Sequence, residues 1–178
     1  MRDVELDAAR IRELLAELDM QLAAQGIEAK VFIVGGAAMA LAYNARRTTA
    51  DIDGVFVPRD VVLDAAAQIA VTHGLSKHWL SDGVVQVMPL HDDDHPRSEK
   101  IGRALTIEIA SPRYLLAMKA MSSRQSDGDL SDAALLCNEL GITKESDIEV
   151  VVARYFGRGA IGAQELFFER IIERASEL

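Results

Sequence analysis

Val34-Gly35-Gly36 and, further on, Arg47-Thr48-Thr49-Ala50-Asp51-Ile52-Asp53 are the stretches on which the fold of this chain turns. The first closes the β-branched and aromatic run Lys30-Val31-Phe32-Ile33-Val34, which predicts a short buried strand. Two glycines at a strand-to-helix junction let backbone pass close to a ligand, and the helix start behind them offers free N–H groups to an anion. Asp51 follows Gly36 by fifteen residues. On a strand, residues two apart share a face, so Asp51 and Asp53 point one way and Ile52 points into the core. Their Cα atoms would lie ~6.5–7 Å apart, close enough for both carboxylates to bracket divalent cations. Such like charges are costly to bury side by side unless a cation compensates them. The competing reading, a solvated strand end, sits poorly with apolar residues on both sides.

Working outward, Ile11, Leu14, Leu15, Leu18 and Leu22 recur at helical spacing within Val4 to Gln25, before Gly26. Ala37 to Ala45 predicts a short, tightly packed helix, Asp51 to Val57 a second strand closed by Pro58, and Asp60 to His73 a helix ended by Gly74. Gly83 to Met88 and Ala104 to Ala110 read as two more strands, with Pro89 to Gly102 a polar loop between them. Ser111-Pro112 is an N-cap with Pro at the first helical position. Beyond it the pattern stays helical, Gly141 ending one helix and Ser146-Asp147-Ile148-Glu149 forming a capping box for the next. The expected class is α/β (α+β): a mixed sheet of about four strands flanked by helices, with a C-terminal helical part. Residues 1–110 would form the core with its N-terminal helix, and residues 111–178 a helical part packed on it as one compact unit.

With 178 residues, the chain is long enough to bury roughly 70% of its unfolded surface without a disulfide or structural metal. Hydrophobic residues make up 49% and charged residues 26%, a globular balance. No apolar run approaches the ~18 residues of a membrane span, and Met1-Arg2-Asp3-Val4-Glu5 has no signal- or transit-peptide character. A single cysteine, Cys137, excludes an internal disulfide and suits the cytoplasm. The net charge is −9, with 17 acids and 11 Lys+Arg up to Ala110 and 11 and 8 after it. Neither part is the basic body that grips duplex DNA, and no membrane partner is expected. A phosphate-bearing ligand held through metal ions, or an RNA end held by a local basic patch, remains compatible.

A third carboxylate is available on the strand Ala104 to Ala110. Leu105, Ile107 and Ile109 form its apolar face, and Glu108 stands on the other between Thr106 and Ala110. It reads either as a metal ligand or as an exposed acid on an edge strand. His91-Asp92-Asp93-Asp94-His95 reads as a solvated acidic loop, His73 and His78 as surface positions, and Cys137 as a buried small hydrophobe. Gly35-Gly36-Ala37-Ala38 lacks the G-x-G-x-x-G spacing of a dinucleotide site.

The hydrophobic-Gly-Gly, the spacer and Asp-Ile-Asp resemble the signature of the polymerase-β-like nucleotidyltransferase superfamily. Gly35, Gly36, Ala38, Arg47, Thr49, Asp51 and Asp53 match its fuller form Gly-Gly-x-Ala-…-Arg-x-Thr-x-Asp-Ile-Asp. Leu115-Leu116-Ala117-Met118-Lys119, Arg124 and Asp129-Leu130-Ser131-Asp132 resemble the later helical motif of the AbiEii-like nucleotidyltransferases, which include toxins of toxin–antitoxin and phage-defence systems. The resemblance spans roughly Val31 to Ile142. Gly128 stands where that branch often has a basic residue, and Gly54 is an unusual continuation of a strand.

The resemblance implies a nucleotidyltransferase that moves a nucleotide from an NTP to a hydroxyl acceptor, such as a tRNA 3′ end or a protein. Asp51, Asp53 and Glu108 would hold Mg²⁺ (or Mn²⁺), and Gly35 and Gly36 would meet the triphosphate. Lys119 would contact phosphate as a point charge, and Arg47, Thr49, Arg124, Asp129 and Asp132 would bind or orient the nucleotide. A cognate antitoxin protein would be a further partner. Arg47 and Thr49 read equally as braces of their loop, and Lys119, Arg124, Asp129 and Asp132 as ordinary helix-face ion pairs. The alternative function is a non-catalytic nucleotide- or protein-binding module of the same fold.

Overall fold

The computed structural model describes residues 4–178, so Met1, Arg2 and Asp3, on which the reading of the N-terminus partly rests, lie outside the described residues. Helix α1 (Ala8–Ala24) starts at Asp7, whose carboxylate accepts the Arg10 amide at 2.8 Å. Its apolar stripe, Ile11, Leu14, Leu15, Leu18 and Leu22, is fully buried, each side chain contributing roughly 1.5–3 kcal/mol by leaving water. Asp19 lies on the same side of the helix, and no apolar pattern predicts it. Its carboxylate accepts the amides of Arg103, Ala104 and Leu105 at 3.2, 2.8 and 2.7 Å. Burial pushes the Asp19 carboxyl up, but these three amides, helped by the Lys100 charge, outweigh it and hold the group below its ordinary value. A buried acid thus fixes where the strand bearing Glu108 begins.

Among the described residues the sheet has five strands, β1 (Ala29–Val34), β2 (Ile52–Val57), β3 (Leu80–Ser81), β4 (Arg97–Lys100) and β5 (Leu105–Ile109), in the order β3-β2-β1-β5-β4. The central β1 pairs antiparallel with β2 and parallel with β5. Helix α2 (Gly35–Ala38) follows β1 directly and widens into a π turn over Met39–Tyr43, so the helix expected from Ala37 starts two residues earlier and is not uniform. Helix α3 (Arg59–His73) ends at Gly74 as expected. One sheet face, with Val31, Ile33, Phe56, Ile107 and Ile109, is buried. Arg12 of α1 reaches Glu99 of β4 at 2.6 Å. The alternation places Lys30, Phe32, Asp53, Val55, Glu108 and Lys100 on the opposite face, none of them buried.

Two expectations need correction. Gly83 to Met88 is not a strand: Gly83–Val87 forms a 3₁₀ turn with no buried residue, so its valines lack the apolar face that strand pairing needs. The loop Pro89 to Gly102 contains β4, whose Arg97-Ser98-Glu99-Lys100 is too polar to read as a strand and is held by pairing with β5. Gly54 is not a weak continuation of β2 but a necessity. An added Cβ would overlap the Phe32 carbonyl oxygen of β1, a backbone atom that cannot swing away. Gly54→Ala is therefore expected to cost about 3 kcal/mol or more, read as a shifted urea midpoint; a loss below about 0.5 kcal/mol would show that the strands can spread.

The chain divides into two units, residues 4–87 with 96–110, and residues 88–95 with 111–178. One boundary between the units falls after Ala110, and the acidic loop is assigned to the second unit. That unit holds α4 (Pro112–Ala120), α5 (Asp127–Leu140), α6 (Glu145–Phe156) and α7 (Glu165–Ser176). Ser111 caps α4 as expected and is held in turn by Asp93, which accepts its amide at 2.6 Å and its hydroxyl at 2.7 Å. Asp94 pairs with Arg154, so the acidic loop is anchored at two of its three aspartates. The capping box at Ser146 is not used: α6 begins at Glu145 with Lys144 at the cap. Cys137 is fully buried, and burial pushes its thiol up to about 12, which leaves it inert. No described helix is long and apolar enough to cross a membrane.

Candidate active site

The turn from β1 into α2 is built so that only glycine fits. Gly35 has φ +65°, the left-handed region that a side chain disfavours. At Gly36 an added Cβ would come within 2.8 Å of Thr49 Oγ1 and 3.7 Å of Arg47 Nη2. The Gly-Gly pair and the Arg-x-Thr pair of the motif are therefore two sides of one contact: the loop before β2 lies against the glycine turn. Sequence spacing suggests both elements, and only the structure shows that they touch.

The loop is pinned from several directions. Arg47 Nη1 donates to the Thr48 carbonyl at 2.8 Å, the bracing role allowed for it from sequence. Leu6 and Thr49 exchange amide–carbonyl bonds at 2.7 and 3.0 Å, and the Thr48 hydroxyl donates to Glu5. Tyr43, at the end of the π turn, donates its hydroxyl to the Ala110 carbonyl at 2.8 Å, tying the motif helix to the end of β5. Glu5, Leu6 and Tyr43 were missed by sequence reasoning. Leu6 and Glu5 precede the first helical pattern, and a tyrosine closing an alanine-rich helix carries no motif signal.

Asp51 and Asp53 lie beside this turn, neither buried. Thr49 Oγ1 is 3.5 Å from Asp51 Oδ1, and Asp53 is paired across the sheet with Val34, the residue before Gly35. Gly35 faces Asp53: a Cβ there would sit 3.6 Å from Asp53 Oδ2. Two carboxylates of intermediate burial offer the hard oxygen donors that suit Mg²⁺, which binds one or two carboxylates and completes its shell with water and substrate phosphate. Asp51 stands just before β2; Glu108 shares the sheet face of Asp53 but is registered with Phe32, one strand across, and its Oε1 accepts Lys30 Nζ at 2.8 Å. Among the described residues no three His, Cys, Asp or Glu side chains converge as a metal cluster.

The residues of the later motif form their own cluster inside the second unit. Lys119 Nζ lies 3.0 Å from Asp129 Oδ1 and 3.0 Å from Asp132 Oδ2, with all three side chains less than a tenth exposed. Asp129 also accepts the Ser122 and Ser126 hydroxyls, each at 2.9 Å. Burial pushes the Asp129 carboxyl up, but the Lys119 charge and these donors together bring it below its ordinary value. The lysine read as a phosphate contact is thus committed to two carboxylates and joins α4 to α5. Arg124, in the turn before α5, is exposed.

No curated protein and no solved structure matches the chain. A family model described as a nucleotidyltransferase of unknown function (DUF6036) matches residues 9–163. That span takes in the glycine turn, both aspartates, Glu108 and the whole Lys119 cluster, and the chain belongs to this nucleotidyltransferase family.

Proposed function

We propose that the chain transfers a nucleotide from an NTP to a hydroxyl acceptor, using Mg²⁺ or Mn²⁺ held by Asp51 and Asp53. The observation carrying this is the packing of Thr49 and Arg47 onto Gly36, which fixes the aspartate strand against the glycine turn. A site held by rigid elements can place two charged groups reproducibly. Bound there, the metal would supply positive charge toward the α-phosphate and the departing pyrophosphate. The chain's part is to orient the donors: Thr49 steadies Asp51, and β1 pairing steadies Asp53. In the transfer, the acceptor oxygen bonds to the α-phosphorus and the bond from that phosphorus to the bridging oxygen breaks. Pyrophosphate leaves with the electron pair, and the hydroxyl proton passes to solvent.

Finer assignment follows the resemblance to AbiEii-like enzymes: an RNA 3′ end, such as that of tRNA, as acceptor, a toxin role, a cognate antitoxin and a cytoplasmic setting. The Lys119 and Glu108 roles toward nucleotide and metal belong to the same proposal. The second reading, a nucleotide-binding module without catalysis, is favoured by one observation, the neutralisation of Glu108 by Lys30.

The test offers each α-³²P-labelled NTP with Mg²⁺ to total tRNA, to a protein lysate and to no acceptor. Label on one acceptor class with release of pyrophosphate is expected, and Glu108→Gln should lower it strongly if Glu108 turns from Lys30 toward the metal. Metal-dependent NTP binding with no transfer from any of the four nucleotides would replace the enzyme by the binding module.

A further inference from the structure

At the far end of β1 from the aspartates, the same sheet face opens into a cavity of about 320 Å³ lined by Lys30, Lys100, Arg103 and Thr106, with Glu28 the one acid among the described lining residues. Three cations in one cavity are notable in a chain of net charge −9. Lys30 is shared with Glu108. Lys100 and Arg103 are exposed and form no ion pair among the described residues. The Lys100 charge also acts on Asp19, which already accepts three backbone amides. What sets Lys100 and Arg103 apart is that they line one hollow together with Lys30, and a cleft lined by one sign of charge concentrates an outside anion.

The register gives the spacing. Val34, beside Asp53, Phe32 and Lys30 follow one another on this face of β1, so Phe32 lies ~6.6 Å and Lys30 ~13 Å along the strand from the aspartate level. Phe32 is half-exposed, flanked by Val55 on β2 and Glu108 on β5. A reactive end, an aromatic ring and a basic hollow in line suit a flexible polymer that alternates flat bases with phosphates.

We propose that this face binds a single-stranded nucleic-acid acceptor, with a base on Phe32 and a backbone phosphate in the Lys30–Lys100–Arg103 cavity. Placing its 3′-hydroxyl at Asp51 and Asp53 rests on the transfer reading above. The contact covers only a few nucleotides, which reconciles a nucleic-acid substrate with an acidic protein.

The test measures anisotropy of a fluorescent single-stranded RNA at several salt concentrations, with inorganic phosphate alone as a second probe followed by amide NMR. Lys100→Gln/Arg103→Gln removes the two unpaired cations and leaves Lys30 and Glu108 intact. It should weaken RNA binding about tenfold and flatten the log K against log salt slope by about 1.4. Phe32→Leu should weaken binding about fivefold with the slope unchanged, since stacking carries no counterions. Metal-dependent NTP binding should be untouched in the double variant. RNA affinity and slope equal to wild type would overturn the proposal, as would no RNA binding by the wild type. Phosphate shifting the Lys100 and Arg103 amides while the RNA slope stays fixed would make the cavity a free-anion site and equally overturn it. Loss of the slope in a protein that binds no NTP would uphold the cavity and remove the transfer reading instead.

Discussion

Asp51→Asn with Asp53→Asn is expected to lower nucleotide transfer by roughly 10³-fold or more while the protein stays folded. The carboxylates are the charged donors beside the glycine turn, and removing even one preorganised charge-stabilising group from an active site costs on the order of 10²–10³ in rate. Neither side chain is buried, so the amides fit the same space, and the loss of two neighbouring negative charges removes a repulsion. A second readout is independent of turnover. Mg²⁺ with NTP at ~100 times its dissociation constant should stabilise the wild type by about 2.7 kcal/mol. For a chain of this size that is a rise in Tm of roughly 5–10 °C. The double variant should show no such rise. An equal rise in both proteins would place the metal–nucleotide site elsewhere, and retained transfer would remove the aspartates from the reaction.

The features legible from sequence are those set by local pattern. The α1 stripe, β1 and β2, the Ser111 cap and the glycine stops of α3 and α5 follow from periodicity and turn chemistry. What stayed hidden depends on long-range contact. Strand β4 is polar and exists through its pairing with β5; Gly54 looks unfavourable until the Phe32 carbonyl is seen against it. Asp19 carries no signal in the apolar pattern of α1, yet it serves three amides at the start of β5. For the site, the motif residues could be named from spacing, but not that Thr49 fills the space a Gly36 side chain would need. Nor could spacing show that Glu108 is engaged by Lys30.

Lys119→Met is expected to act on stability first, by about 3–5 kcal/mol at neutral pH. A lysine on a helix face, read as a surface residue, would cost almost nothing to replace. In the structure it pairs with two buried carboxylates, and removing one partner of a buried pair leaves uncompensated charge in a poorly polarisable interior. The pH dependence distinguishes this from simple loss of packing. In the wild type, Asp129 is held below its ordinary value, mainly by Lys119 working against burial. Its contribution to stability is therefore full above the unfolded carboxylate range near ~3.9 and is lost as pH falls through the lower folded value. In Lys119→Met the dependence reverses: acid supplies a proton that takes the place of the lost ammonium, so the variant gains stability between pH 7 and 5 while the wild type stays level. Urea midpoints at the two pH values read both effects. A variant as stable as wild type at pH 7, with transfer lowered alone, would return Lys119 to the nucleotide and show that its carboxylate partners release it when substrate binds.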